Sequence, residues 1–162
     1  MTASRPESPD AAAVAALIGR VPHTRYRVAV RCPFGAPAVL ENAPIDLRGR
    51  PFPTRHWLAC RRLSEAVSRL ESGGGVRALE SAPGMDAALR ATSERHRALH
   101  AGHNVAGAGD PARAKCLHAH LAFAMATGDG PVGRWIRAHA DLSWPDRCCL
   151  DDGRAPAPGN DG

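Results

Sequence analysis

Alternating hydrophobic and polar residues predict a short antiparallel meander in the first part of the chain. Residues Tyr26–Arg31 (YRVAVR) alternate as a strand with one buried face does. The following CPFGAP contains two prolines and a glycine and predicts a turn, which places Cys32 at the tip of a hairpin. Residues Ala38–Leu40 then begin the returning strand. After a second turn-rich segment, LRGRPFPT, residues His56–Cys60 (HWLAC) predict a third strand.

Hydrophobic residues spaced three and four apart predict helices before and after this meander. The first helix, Ala11–Gly19, has Asp10 as a candidate N-cap. Residues Asp86–His100 have a weak apolar stripe and several arginines, which predicts a helix in an exposed layer. A strong helix is predicted to begin at Asp110 and Pro111, to carry Cys116 and to end at Gly128. The other predicted helices are Arg61–Glu71, with a stripe of Leu63, Val67 and Leu70, and a short one from Pro131 through Trp135, Ile136 and His139.

This order of elements predicts a single α+β domain, in which a small antiparallel β-meander packs against several helices. The domain is expected to span residues 10–151. The segments 1–9 and 152–162 are rich in Pro, Gly and Asp and poor in packing residues, so we expect disordered tails there. The core has few aromatic residues and much alanine, and a small core of this kind gains from a metal.

Charge narrows the functional classes only a little. The 162 residues carry 21 basic and 16 acidic side chains, a net charge of +5, and Lys115 is the only lysine. Arginine together with abundant Ala, Gly and Pro also reflects coding from a G+C-rich genome, so the charge is weak evidence for a nucleic-acid partner. A local arginine cluster near Trp57 could still bind RNA or phosphate, although a solvated loop rim is the default interpretation. Its members are Arg48, Arg50, Arg55, Arg61 and Arg62.

Cellular location follows from what the sequence lacks. No stretch approaches 18 apolar residues, and AAAVAALIG is too short for a span and lacks the basic flank of a secretory signal. We therefore expect a cytoplasmic protein with no membrane partner, in which five cysteines serve as thiols or metal ligands rather than disulfides. A protein partner is possible, and the sequence does not identify it.

The stretch AKCLHAH brings one thiol and two imidazoles within five positions. If the helix already includes Cys116, then Cys116 and His120 share a face and His118 points to the other side. That pair could clamp one ion. A buried thiol beside exposed imidazoles is the simpler interpretation. Earlier in the chain, His96, His100 and His103 are four and three positions apart and could also bind a metal ion, but a solvated helix end is the favoured interpretation.

Cysteines on separate elements suggest a metal centre. No CxxC pair occurs, which excludes a zinc finger of the usual spacing. Cys32, Cys60 and Cys116 lie at a turn, a strand-to-helix junction and near a helix start, and Cys148 or Cys149 lies in the terminal loop. Such positions leave thiolates free to point at a common centre. A structural zinc ion or an iron–sulfur cluster would suit four sulfur ligands.

A thiol-dependent enzyme is the alternative class. Cys116 or Cys60 would be the reactive thiolate, with His118 or His120 as its base. No GxSxG, P-loop or GxGxxG motif supports another established chemistry. The glutamates Glu41, Glu65, Glu71 and Glu80 show no paired-acid arrangement.

The order of several short motifs resembles a bacterial, mainly actinobacterial, family known as domain of unknown function 501. The motifs are VAVRCPFGAPAVLENAP from Val28, PFPTRHWLAC from Pro51, LSEAVSRLE from Leu63, AKCLHAHLA from Ala114 and GPVGRW from Gly130. The resemblance implies no particular reaction. It does imply functional cysteines at Cys32, Cys60, Cys116 and Cys149, with Cys148 able to substitute for Cys149, and His118 as a ligand or its neighbour. The chain departs from the family pattern at Arg61 and Gly130, where proline and asparagine are expected.

Overall fold

The computed structural model describes residues 8–152, and these form the predicted α+β fold. Most of the two predicted tails, residues 1–7 and 153–162, falls outside this part of the chain. Asp152, which the sequence assigns to the second tail, belongs to a 3₁₀ turn, Cys149–Asp152, and forms ion pairs with Arg62 and Arg147.

The meander is a three-stranded antiparallel sheet with the strand order β1-β2-β3. The strands are β1 (Thr24–Arg31), β2 (Pro37–Asp46) and β3 (His56–Leu58). The CPFGAP turn closes the first hairpin, with Gly35 at a positive φ of 84° that a side chain would disfavour. In the middle strand, Ala38, Val39 and Leu40 are all buried, so this strand is part of the hydrophobic core.

Six α-helices lie in residues 8–152. They are α1 (Ala11–Ile18), α2 (Arg61–Ser72), α3 (Gly75–Ser81), α4 (Met85–Leu99), α5 (Leu117–Thr127) and α6 (Pro131–His139). Helix α5 packs across the sheet, chiefly on β3, and also contacts α2 and α6. Its residues from Leu117 to Ala124 are all buried, so α5 is the central helix and has no solvent-facing side over this length. Its two histidines, His118 and His120, therefore lie in the interior.

Helix α5 begins later than predicted, and this changes which side chains can meet. The pair Asp110 and Pro111 does not open this helix, because residues 110–116 form turns and an extended segment, and Cys116 is the N-cap with φ −142° and ψ 114°. Cys116 is thus outside the helix. The expectation that Cys116 and His120 share a helical face is wrong, since the four-residue rule applies only to residues within one helix.

Other helices differ in smaller ways. Asp10 makes no side-chain cap hydrogen bond, because its carboxylate instead binds Arg31 at 2.8 Å. Helix α4 is not an exposed layer, since it buries Leu89, Thr92, Ser93 and His96. Helix α3 was not predicted. The third strand ends at Leu58, and Cys60 is the N-cap of α2.

Candidate metal site

The backbone just before α5 is held in an unusual conformation. Lys115 has a positive φ of 60°, and the Cys116 N–H donates to the carbonyl of Ala114 at 2.6 Å. This is a γ-turn whose middle residue has a positive φ, a form that is rare and strained. The Lys115 Nζ donates to the Ala106 carbonyl at 3.0 Å and so helps to hold the turn. The turn places Cys116 at the N-terminal end of α5.

The last turn of α2 supplies a carboxylate at the same place. Glu71 Oε1 accepts the Leu117 N–H at 2.7 Å and lies 3.2 Å from His118 Nδ1. The Sγ of Cys116 lies 3.9 Å from that same nitrogen. One ligand atom from each of the three side chains lies within 4.8 Å of the other two, and no other such trio occurs in residues 8–152.

The other ring nitrogen of His118 is also engaged. His118 Nε2 lies 3.1 Å from the carbonyl oxygen of Ser64 and 3.0 Å from the hydroxyl of Ser68. Because a carbonyl can only accept, this contact places a proton on Nε2. The lone pair of a neutral ring is then on Nδ1, which faces Cys116 and Glu71.

Electrostatics couples the imidazole to the carboxylate. Burial alone would lower the pKa of His118, but hydrogen bonds to Cys116 and Glu71 and the charge of Glu71 raise it to about 10. Burial alone would raise the pKa of Glu71, yet the hydrogen bond and charge of His118, with the N–H groups of Leu117 and His118, hold it below its usual value. The two side chains therefore stabilise each other as an imidazolium beside a carboxylate.

The four cysteines predicted as ligands do not converge in this structure. Cys60 and Cys149 belong to the main hydrophobic core and Cys32 packs against it, whereas Cys116 packs against a second, smaller cluster. Cys116 lies at the opposite end of α2, since Cys60 precedes that helix and Glu71 is in its last turn. At a rise of about 1.5 Å per residue these two ends are about 16 Å apart. Cys116 is thus brought together with Glu71 and His118 instead.

The remaining histidines form a separate buried group. His56 and His96 pack against Phe123, with ring centroids 5.6 and 5.2 Å from it, and the His100 ring lies 5.4 Å from that of His96 in a tilted arrangement. His96 and His100 are buried, so the expectation of a solvated helix end there is wrong. His120 is buried too, and neither of its ring nitrogens has a hydrogen-bond partner in the described part of the chain. Of the two candidate bases, only His118 contacts a cysteine considered as a nucleophile.

Most arginines of the predicted rim are engaged within the molecule. Arg50 pairs with Asp46, Arg55 with Glu41, and Arg62 with Asp152. The guanidinium of Arg61 is buried and donates to the Ala16 carbonyl.

Glu71 was the residue that sequence reasoning missed. It lies 45 positions before Cys116, and no spacing rule connects the last turn of one helix with the N-cap of another. The available signal was weak: an acidic residue near the end of a helix, where the macrodipole disfavours it, points to a partner elsewhere.

A comparison of the chain with protein-family models agrees with the resemblance that the order of its motifs indicated. A family model described as a protein of unknown function (DUF501) matches residues 28–104 and 90–138. The chain belongs to the DUF501 family. The first DUF501 segment contains Glu71 and the second contains Cys116 and His118, so the family region includes the whole trio, whereas Cys148 and Cys149 lie beyond it. No curated protein and no solved structure gives a significant match to the chain.

Within residues 8–152, none of the helices combines the length and the apolar character that crossing a bilayer requires.

Proposed function

We propose that this DUF501 protein binds a zinc ion through Glu71, Cys116 and His118, with one coordination position left for water or a substrate. The observation that carries the proposal is the orientation of His118. Its Nε2 faces the Ser64 carbonyl while its Nδ1 faces the thiol and the carboxylate. A histidine that ligates a metal characteristically donates its other N–H to a carbonyl or carboxylate, which fixes the tautomer and the ring direction.

The distances suit a tetrahedral ion. Zinc lies about 2.0–2.2 Å from nitrogen and oxygen ligands and about 2.3 Å from sulfur, so two ligand atoms of one ion are about 3.2–3.6 Å apart. The separation of Glu71 Oε1 and His118 Nδ1 is 3.2 Å, and that of Cys116 Sγ and His118 Nδ1 is 3.9 Å. The Glu71 and Cys116 ligand atoms lie within 4.8 Å of each other, so side-chain shifts of up to about 1 Å would bring all three to the separations that zinc requires.

Three protein ligands are the number typical of catalytic rather than structural zinc sites. The Glu71 side chain is 28% exposed and Cys116 is half-buried, so the fourth position would face solvent. A zinc ion there would act as a Lewis acid or lower the pKa of a bound water. The role of the chain is to fix the ligands through α2, the strained turn and the buried helix α5.

The geometry favours this site over the alternatives. An iron–sulfur cluster needs several thiolates, and only one cysteine is present. In a thiol enzyme of the Cys-His-carboxylate kind, the carboxylate orients the base through the ring nitrogen that does not face the nucleophile. Here Glu71 and Cys116 both approach Nδ1.

Zinc binding by matched variants tests the proposal. Purified protein is stripped with a chelator, and its zinc affinity is measured by competition with a metal indicator for wild type, Cys116→Ser and His118→Gln. We expect one zinc per chain in wild type, and a loss of affinity of at least about tenfold in each variant. Cys60→Ser is the control and should retain the wild-type affinity.

The opposite pattern would overturn the proposal. If Cys60→Ser loses zinc while His118→Gln keeps it, the ion belongs to the other cysteines. Circular dichroism of each zinc-free variant shows whether a loss of affinity reflects a loss of fold.

A further inference from the structure

One end of the sheet carries exposed hydrophobic side chains on two neighbouring segments. Ile45, near the end of β2, and Leu47, in the turn that follows, are 55% and 60% exposed, and Val21, before β1, is 74% exposed. The two segments touch, because the Leu47 N–H donates to the carbonyl of His23 at 2.8 Å. Single exposed hydrophobic residues are normal, whereas a group of them is typical of a surface that contacts a protein or a membrane. Val21, Ile45 and Leu47 are called the apolar tip below.

The turn that holds Leu47 is fixed by its own hydrogen bonds. The Asp46 N–H donates to the Arg50 carbonyl at 2.8 Å, and the Gly49 N–H donates to the Asp46 carbonyl at 3.0 Å. Gly49 has a positive φ of 80°, as the glycine of a three-residue hairpin loop does. Asp46 Oδ1 also accepts the N–H groups of Arg48 and Arg50 at 2.8 and 2.9 Å. Leu47 is thus held out to solvent at a turn position where a polar residue, glycine or proline is usual.

Positive charge surrounds the apolar tip. The segments 20–25 and 45–52 contain four arginines and one carboxylate, that of Asp46. The Asp46 side chain is only 6% exposed, and its Oδ2 accepts the Arg50 Nε–H at 3.0 Å, so its charge is shielded from solvent. Arg20, Arg25 and Arg48 are exposed. A partner of this surface therefore needs negative charge around an apolar region.

The shape of the tip favours a deformable partner. Each of its three side chains is more than half exposed, so each projects from the surface. Projecting aliphatic groups can enter the boundary between lipid headgroups and acyl chains, while arginines beside them contact phosphate and other anionic groups at the bilayer surface.

RNA would explain the arginines but not the tip. Proteins that bind single strands stack the bases on aromatic side chains, and Val21, Ile45 and Leu47 are aliphatic. The sequence argument against a membrane concerned spans and secretory signals, and peripheral binding through a surface tip requires neither.

We infer that the apolar tip and the arginines around it bind the surface of a lipid bilayer that contains anionic phospholipid. On binding, the three aliphatic side chains leave water, and the guanidinium groups of Arg20, Arg25 and Arg48 face the headgroups. The inference is independent of the zinc proposal, because no ligand of that site lies in these segments.

Vesicle binding by the full-length protein tests the inference. Vesicles consist of phosphatidylcholine alone or of an equal mixture of phosphatidylcholine and phosphatidylglycerol. We expect the protein to sediment with the mixed vesicles and not with the neutral ones, and the bound fraction to fall as sodium chloride is added.

Matched variants separate the apolar from the charged contribution. Leu47→Ser should weaken binding to the mixed vesicles at least about tenfold, because a leucine that leaves water is replaced. Arg48→Gln should weaken it about fivefold. Phe34→Ser is the apolar control, since Phe34 is 47% exposed in the turn at the other end of the β1–β2 hairpin, and it should keep the wild-type affinity. Arg134→Gln removes an exposed charge from α6 and should have little effect.

Several outcomes would overturn the inference. The protein might fail to bind mixed vesicles, or Phe34→Ser might lose as much affinity as Leu47→Ser. Binding that Leu47→Ser leaves unchanged would be electrostatic alone. Binding of a single-stranded RNA that weakens in Arg48→Gln, with no binding to vesicles, would assign the arginines to nucleic acid. Circular dichroism and zinc affinity of Leu47→Ser should match wild type, since its side chain is exposed and remote from the zinc ligands in the sequence.

Discussion

At the scale of single residues, Glu71 has one role that the structure shows, capping α5, and one that we propose, ligation of zinc. Its Oε1 accepts the Leu117 N–H and so caps the start of α5, a donor that Cys116 as N-cap leaves without a side-chain partner. The same oxygen faces His118 Nδ1. Capping requires only an oxygen that accepts the N–H, whereas ligation requires the negative charge of the carboxylate, so substitution can separate the two roles.

The substitution Glu71→Gln keeps a carbonyl oxygen for the Leu117 N–H but removes the charge. We expect zinc affinity to fall at least about tenfold, as for Glu71→Ala. The zinc-free Gln variant should be more stable than the Ala variant by about 1 kcal/mol, since it retains the capping hydrogen bond. Indicator competition and urea unfolding give the two quantities. Wild-type zinc affinity in the Gln variant would show that Glu71 is a cap and nothing more.

At the scale of elements, the sequence predicts where regular structure occurs better than where it begins. The meander and α2 follow from alternation and from a clear apolar stripe, and their bounds agree within a few residues. Helix α5 has no stripe, because it is buried on all sides, so only end signals could place its start. Asp110 and Pro111 are such signals, but the Asp110 carboxylate accepts the Ala112 N–H in a local turn.

That displacement changed the predicted site. A helix that begins at Asp110, as predicted, would place Cys116 and His120 on one face. The observed helix begins at Leu117, and Cys116 contacts His118 instead. Glu71 could not be found, because its proximity depends on how α2 crosses α5. Long-range packing of this kind leaves no mark in local spacing.

At the scale of the whole molecule, buried histidines link stability to pH. Burial, with the charges of Arg55 and neighbouring histidines, lowers the pKa of His56 to about 3, and burial lowers that of His96 to about 4. In the unfolded chain each of these imidazoles would have a pKa of about 6.5. Below that pH the unfolded state binds protons that the folded state does not, so stability falls with pH until the folded pKa is reached.

We therefore expect the free energy of unfolding to decrease between about pH 6.5 and about pH 4, by about 1.4 kcal/mol per pH unit for each of these two histidines. Above pH 6.5 their contribution is fully present. Urea unfolding across this range measures the slope, and His96→Gln should make it shallower. His139→Gln, at an exposed position, is the control and should leave the slope unchanged. An unchanged slope in His96→Gln would mean that His96 titrates alike in both states.

The most direct test of the zinc proposal is the X-ray absorption spectrum of the zinc-loaded protein, because it counts the sulfur ligands. A site of Glu71, Cys116 and His118 predicts one sulfur at about 2.3 Å and the remaining nitrogen and oxygen ligands at about 2.0–2.2 Å, with one of them from water. Loss of the single sulfur shell in Cys116→Ser would assign it. A spectrum with four sulfur ligands, or protein that retains no zinc, would contradict the account.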